Sequence, residues 1–396
     1  AIRGFINRLI QRNYLLKGIL LIGKGREYRD IRKVRVPNGL LSEEDLPSLL
    51  PTWGYPGSDA MLVSSFENDL PWTTFGRIPA ISPEEVTLYL KKVILFEKNR
   101  ESNEVNPAWV KSVIQLGGGT YEPEKKYIRE VLANYTKILD ALPWSPNVTS
   151  FFKENDEPIF VPYSQQFFDK VNKGIGLIIF LGHSTAGTFD FNIDNPRLYD
   201  NGYKQPFFLS LGCYAGNHFT SFRSQGERFI FYPESGAIAF AATRGVGFLH
   251  LLAEMGSVVL EQIRGDDGFP AWGKVIHNGI LKLMKGDNKP LQAMAQQLTF
   301  QGDPLVYLPV PSSPKPDFAP QSFSVFPFPV LVTSDSMQLE WKISHLGLEP
   351  LEALKVEISM RGLDEKILFV GFIPLQSLDN KVKLVLPLPS DVLKGE

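Results

Sequence analysis

Short runs of apolar residues, each closed by glycine or another turn former, constrain this chain more than any other feature. They include Gly18-Ile19-Leu20-Leu21-Ile22-Gly23, Ser112-Val113-Ile114-Gln115-Leu116, Leu177-Ile178-Ile179-Phe180-Leu181, Phe207-Phe208-Leu209-Ser210-Leu211 and the small-residue run 237–242. A strand with one face in water alternates apolar and polar residues; a continuous apolar run needs cover on both faces, as in a parallel sheet sheathed by helices. Helical patterns fall between the runs. Phe5, Leu9 and Ile10 lie at helical spacing, and Ser82-Pro83-Glu84-Glu85 combines a cap-competent serine with proline at the first helical position ahead of Val86, Leu90, Val93 and Ile94. Further helices are expected around Tyr127–Leu139, from a capping Ser164 up to Gly174, and over Leu249–Ile263. Strands alternating with helices predict an α/β fold with an open, mostly parallel sheet. The Pro/Gly-rich stretch Pro51–Asp59 reads as loop, and the charged stretch Glu97–Glu104 as a crossover dividing a first subdomain, 1–103, from a second, 104–309.

The pattern changes near Pro309. Residues 310–318, containing Pro311, Pro314 and Pro316, form a stiff linker, after which period-two alternation appears in Leu339, Trp341, Ile343 and in Leu354, Val356, Ile358, Met360. Residues 319–396 are therefore an all-β module of the immunoglobulin-like kind. It is shorter than the ~100 residues such a sandwich needs, so the chain is expected to stop before its final strands.

Charge excludes some functions. Among 396 residues, 41 Lys and Arg nearly balance 43 Asp and Glu, so no strong field points to nucleic acid. No stretch approaches the roughly 20 apolar residues of a membrane span, and Ala1-Ile2-Arg3-Gly4 does not open a signal peptide. Gly23-Lys24-Gly25 and Gly117-Gly118-Gly119 complete no dinucleotide or phosphate-loop pattern and read as turns, and there is no Gly-x-Ser-x-Gly elbow. The single cysteine excludes an internal disulfide and any multi-thiolate zinc site.

That cysteine is placed for chemistry. The 177–181 run ends in Gly182-His183-Ser184 and the 207–211 run in Gly212-Cys213-Tyr214-Ala215-Gly216. Ligands of open α/β sheets bind beyond the carboxyl ends of the strands, so neighbouring parallel strands would bring the imidazole and the thiol together. The imidazole draws the proton from the thiol and later returns it to a leaving amine. Gly182 and Gly212 would let a substrate backbone approach, and the N–H groups of Ser184 and Cys213 would converge as an oxyanion hole. The competing readings are a buried structural cysteine and a histidine that merely caps a strand end. His218, five residues past Cys213, is assigned to a loop rather than to the base. Asp190, Asp194 and Asp200 would suit a calcium ion or a basic substrate side chain, but are read as solvated loop carboxylates.

The Gly-His-Ser and Cys-Tyr-Ala-Gly strand ends resemble those of the gingipain-type peptidases, relatives of the caspases that use a His-Cys dyad. Leu20–Gly23, Gly76-Arg77-Ile78-Pro79, Gly236-Ala237-Ile238-Ala239 and Gln301-Gly302-Asp303-Pro304 match in order across residues 1 to about 309, the last as a structural turn. Pro314-Lys315-Pro316-Asp317 and the β-module resemble more narrowly the sortase components of the type IX secretion system. The resemblance implies a cysteine endopeptidase or sortase-like transpeptidase with Cys213 as nucleophile and His183 as base. It needs no cofactor, acts on exported polypeptides that carry a C-terminal sorting domain, and sits at a bacterial outer-membrane surface. Two departures stand out: Ser184 replaces the usual glycine after the histidine, and no acidic partner is matched upstream, where only Glu122 or Glu124 is available. These departures, with the β-module, support a second reading, a catalytically inactive surface binding or assembly module.

Overall fold

The computed structural model describes residues 1–12, 14–27, 48–101, 109–154, 164–193, 195–264, 268–308, 318–327, 336–345, 354–361, 367–375 and 381–387. Ala1–Leu142 and Pro146–Pro309 form one compact unit; Pro143–Ser145 and Val310–Glu396 form a second. In the first unit the elements run α1 (Ile2–Gln11), β1 (Ile19–Ile22), α2 (Asp59–Leu62), β2 (Phe75–Ile78), α3 (Pro83–Glu101), β3 (Ser112–Gly117), α4 (Glu122–Asp140), β4 (Asn147–Phe152), α5 (Ser164–Lys173) and β5 (Leu177–Leu181). They continue with β6 (Phe207–Leu211), α6 (Gln225–Phe231), β7 (Ala239–Thr243), α7 (Leu249–Leu260), α8 (Trp272–Lys285), α9 (Lys289–Gln296) and β8 (Leu298–Gln301).

The strands build one eight-stranded sheet of order β1-β2-β8-β7-β6-β5-β3-β4. All neighbours are parallel except β7 and β8, so β1, β2 and β8 run opposite to the other five. The apolar runs explain the centre: every residue of β2, β5, β6, β7 and β8 is buried. On one face Ile114, Ile178, Phe180, Phe208 and Phe240 pack against Tyr89 of α3, Phe167 and Val171 of α5 and Phe229 of α6. On the other, Phe207 stacks on Trp272 of α8, and Tyr135 of α4 donates to the Ala253 carbonyl in α7 at 2.8 Å. Each such aromatic stabilises the fold by roughly 1.5–3 kcal/mol through area removed from water.

Several expectations change. β1 is an edge strand with Leu20 and Ile22 half-exposed, so its run is covered on one face only. The stretch Glu97–Glu104 is helical as far as Glu101, and residues 102–108 lie outside the described set. The last central strand is shifted to Ala239–Thr243, and β4, α8, α9 and β8 join elements for which no expectation was formed. The start of α3 is as expected: the Ser82 hydroxyl accepts from Glu85 N at 3.4 Å, and the Glu85 carboxylate accepts from Ile81 N at 2.8 Å.

The second unit is antiparallel. β9 (Phe318–Phe326), β10 (Ser336–His345) and β13 (Lys381–Pro387) form one sheet of order β13-β10-β9, and β11 (Leu354–Arg361) pairs with β12 (Ile367–Leu375). Its described residues contain no helix. Linker residues 310–317, including Pro314-Lys315-Pro316-Asp317, lie outside the described residues. No helix among the described residues is long and apolar enough to cross a membrane.

Candidate active site

β5 and β6 are parallel and in register, Leu177 opposite Phe207 through Leu181 opposite Leu211. His183 and Cys213 each follow two residues past the last matched pair, so both leave the sheet at the same edge and at the same height. Adjacent strands lie roughly 4.8 Å apart, which sets the spacing of the two backbones. The ladder extends past the strands through Gly182 N donating to the Leu211 carbonyl at 3.3 Å. The His183 side chain is 56% exposed and Cys213 is half-buried, so both are within reach of a substrate.

The glycines serve a purpose other than the one expected. A Cβ on Gly212 would collide with Ser184 Oγ, and one on Gly182 would crowd the Gly118 backbone at 2.9 Å. The room they create is therefore filled by neighbouring chain rather than left for substrate. Ser184, the residue in place of the usual glycine, uses that room: its hydroxyl donates to the Cys213 carbonyl at 2.8 Å and ties the two strand ends together. Directly after Cys213, Tyr214 has φ 60°, a left-handed conformation costing roughly 1–2 kcal/mol for an L-residue, held by Tyr214 N donating to the Gly245 carbonyl at 3.0 Å. The turn aims the thiol at Gly247, whose N–H donates to Sγ at 3.3 Å and whose carbonyl accepts from Sγ at 3.6 Å.

Beside the histidine lies the carboxylate that no sequence motif supplied. His183 Nε2 is 3.0 Å and 3.1 Å from the two carboxylate oxygens of Glu124. Pro123 in the first turn fixes where α4 starts, which makes Glu124 its third residue. From there the carboxylate reaches back to accept from Thr120 N at 2.7 Å, a bond to the residue ahead of the N-cap Tyr121 that anchors it. Glu122 points elsewhere: it is exposed and pairs with Arg129 at 2.9 Å. With Nε2 donating to Glu124, Nδ1 is the ring nitrogen left to accept a proton.

Asp190 corrects the reading of solvated loop acids. It is buried behind His183 and accepts from Gly119 N at 2.9 Å and His183 N at 3.4 Å. Burial raises its pKa, with the backbone donors and the nearby Lys153 and His183 opposing. Ser184 bridges Phe189, and Asp190 N donates back to the His183 carbonyl at 3.0 Å, so residues 183–190 form a tight hairpin braced from below by Asp190. Asp200 is exposed and Asp194 lies outside the described residues. No group of three His, Cys, Asp or Glu among the described residues is arranged to hold a metal.

His218 is remote from this chemistry. It is fully buried with Nε2 3.1 Å from Asp59 Oδ2, and Asp59 also forms a two-pronged ion pair with buried Arg77. Burial lowers the His218 pKa while Asp59 opposes. Desolvation would raise the Asp59 pKa, but the charge of Arg77 and the bond to His218 outweigh it and hold the carboxyl well below the usual range. Lys24 is likewise structural, paired with buried Glu227 at 2.5 Å. Gly302-Asp303-Pro304 is a turn closed by Asp303 N donating to Tyr89 Oη at 2.7 Å.

Comparison with known proteins gives a consistent result. The model of peptidase family C25 matches residues 1–309. No curated protein matches the chain. Among solved structures, the Arg-specific cysteine proteinase gingipain R (RgpB) is similar with TM-score 0.61 at 15% identity, over 98% of this chain and 82% of that one. A complex of the pro- and mature domains of RgpB from Porphyromonas gingivalis is similar with TM-score 0.57 at 15% identity, over 98% and 84% of the chains. A structure described as a protease gives TM-score 0.56 at 12% identity, over 98% and 87%. Likenesses at these identities establish a shared fold.

Proposed function

The chain belongs to peptidase family C25 and is a cysteine-type peptidase of gingipain fold, and from that premise we propose that Cys213 is its nucleophile, His183 its general base and Glu124 the carboxylate that holds the base. The observation that carries this reading is the pairing of the two strand ends, one bearing the only cysteine and the other a histidine whose far nitrogen rests on a carboxylate.

The steps follow from the geometry. His183 Nδ1 takes the Cys213 proton as Sγ bonds to the carbonyl carbon of the scissile peptide, and the carbonyl π electrons move to oxygen. The Gly247 N–H steadies the sulfur before attack. Glu124 fixes the ring and balances the imidazolium formed at its Nε2 side, the role of the carboxylate in hydrolytic triads generally. The N–H groups of Ser184 and Cys213, which no bond engages among the described residues, are free to receive the oxyanion. The tetrahedral species then collapses: the carbon–nitrogen bond breaks, His183 gives its proton to the departing amine, and an acyl-thioester remains on Cys213. Water or an amine attacks that thioester, giving hydrolysis or transpeptidation. No cofactor enters the scheme.

The substrate is a polypeptide. We propose that it is an exported protein bearing a C-terminal sorting domain, that the enzyme is itself exported to the outer-membrane surface, and that it acts there as a sortase-like transpeptidase. The support is the sequence resemblance of the linker and β-module. Offering the acyl-enzyme a primary amine tests the last point: an amide product supports transpeptidation, and an unchanged ratio of free carboxylate over a wide amine range argues for hydrolysis alone. The binding-module alternative rested on Ser184, on a missing acidic partner and on the β-module. Ser184 is bonded to the Cys213 carbonyl and Glu124 stands against His183, so the first two no longer favour it, and the β-module is compatible with either reading. Replacement of Cys213 by Ala, with peptide cleavage followed by mass spectrometry, tests the core assignment; cleavage that persists would refute it.

A further inference from the structure

A cavity of about 640 Å³ lies at the tip of the hairpin that carries His183 and Ser184. Its walls are Gly187 and Thr188 of the tip, the 195–197 turn, and one face of α6. Hairpin and helix are joined: Gln225 N donates to the Ala186 carbonyl at 2.8 Å, and the Gln225 amide bonds the Gly187 carbonyl. The cavity is thus part of the same rigid support as the catalytic histidine.

Three guanidinium groups line it, from Arg197, Arg223 and Arg228. Arg223 is engaged, pairing with Glu85 and Glu227 and lying over the Phe231 ring at 5.2 Å. The acid of the lining, Glu227, is already matched by buried Lys24 and by Arg223. Arg197 and Arg228 are exposed, and no carboxylate among the described residues pairs with either. The cavity therefore presents uncompensated positive charge above an apolar wall of Phe231 and Tyr232. A guanidinium presents a planar fork of donors that matches a carboxylate with two parallel hydrogen bonds.

Position selects among carboxylates. Gly187 is four residues from His183, at most about 14 Å along an extended chain, so whatever fills the cavity lies within roughly four or five residues of a scissile bond held at Cys213. We propose that this cavity is an acidic-residue subsite, in which Arg197 and Arg228 receive the side-chain carboxylate of an Asp or Glu of the polypeptide substrate a few residues from the cleaved bond. The inference rests on the peptidase reading of the Cys213 site and adds a substrate preference to it.

The test uses pairs of peptides identical except for Glu or Gln at one position, scanned over five residues on each side of a cleaved bond, with the full chain and its Arg197→Glu, Arg228→Glu double variant. Both substituted side chains are exposed, so the variant is expected to fold. At one position the native chain should cut the Glu peptide about tenfold or more faster in kcat/KM than its Gln twin, the scale of one charge-assisted hydrogen bond, and less so as salt rises. The double variant should lose that preference and cut a Lys peptide faster than its Glu twin. Equal rates for Glu and Gln at every position, or a preference the double variant retains, would overturn the proposal. Binding of the same peptides to the Cys213→Ala chain separates the two claims. A Glu-over-Gln affinity difference without cleavage by the native chain refutes the catalytic assignment and keeps the subsite, whereas cleavage without any such difference does the reverse.

Discussion

Glu124 carries two hydrogen-bonding duties, accepting from Thr120 N just ahead of α4 and holding His183 through Nε2. Glu124→Gln keeps an acceptor for Thr120 N but removes the charge that balances an imidazolium. It is expected to lower kcat by about 10²–10⁴-fold with little change in KM or melting temperature, measured by steady-state kinetics beside thermal unfolding. Gly212 makes a different kind of prediction. Gly212→Ala drives a methyl into Ser184 Oγ, and the expected cost is about 1–3 kcal/mol of stability in denaturant unfolding, together with loss of activity as the strand ends part. Cys213 and His183 stand out in the sequence because each follows a run of buried residues closed by a glycine, a pattern contained in one strand. Glu124 was not chosen over Glu122, although Pro123 marks the helix start and the third position of a helix is where a glutamate reaches back. Gly247 was out of reach, since its contact with Sγ spans 34 residues and depends on how the loop after β7 folds.

At the scale of elements, the register of β5 against β6 is what makes the candidate site: slipping one strand by a residue would send His183 or Cys213 to the other face of the sheet. The elements that sequence missed share a cause. β4 sits at the sheet edge with only Phe151 buried, so its residues carry no apolar run, and β8 is four residues long and antiparallel to β7 at the point where the sheet reverses. Around that reversed part the buried triad Asp59–Arg77–His218 ties α2 to β2 and to the loop after Cys213. Removing one charge from such a pair leaves the other uncompensated, so Asp59→Asn is expected to cost about 3–5 kcal/mol. The triad also sets an acid limit. Asp59 has a folded pKa below its unfolded one, so its contribution is full above about pH 4 and fades as pH falls further. His218 has a folded pKa lowered by burial, so its neutral state favours folding above about pH 6.5 and the advantage is lost as pH drops below that. Both act in one direction, and the melting temperature should decline steadily from about pH 6.5 to below pH 4, with a shallower slope in His218→Gln.

In the whole molecule, residues 1–309 contain the eight-stranded sheet, the strand ends that carry His183 and Cys213, and the full span of the family match. A chain ending at residue 309 is expected to unfold in one cooperative transition and to cut short peptides at a rate within about threefold of the intact chain, because mutual geometry at the site is set within one unit. The change of architecture after residue 309 was legible from the switch to period-two patterning, whereas the pairing of five strands into two sheets depends on long-range register that no local pattern encodes. The central claim, that Cys213 is a nucleophile activated by His183, has a direct test in the rate at which a peptide-derived electrophile labels the protein, read by intact mass. With a single cysteine, one adduct reports one site. The account predicts one adduct per chain, peptidase activity lost in step with labelling, and a labelling rate at least about 100-fold slower in His183→Ala. Labelling at the same rate in His183→Ala, or cleavage that continues after every Cys213 is modified, would contradict it.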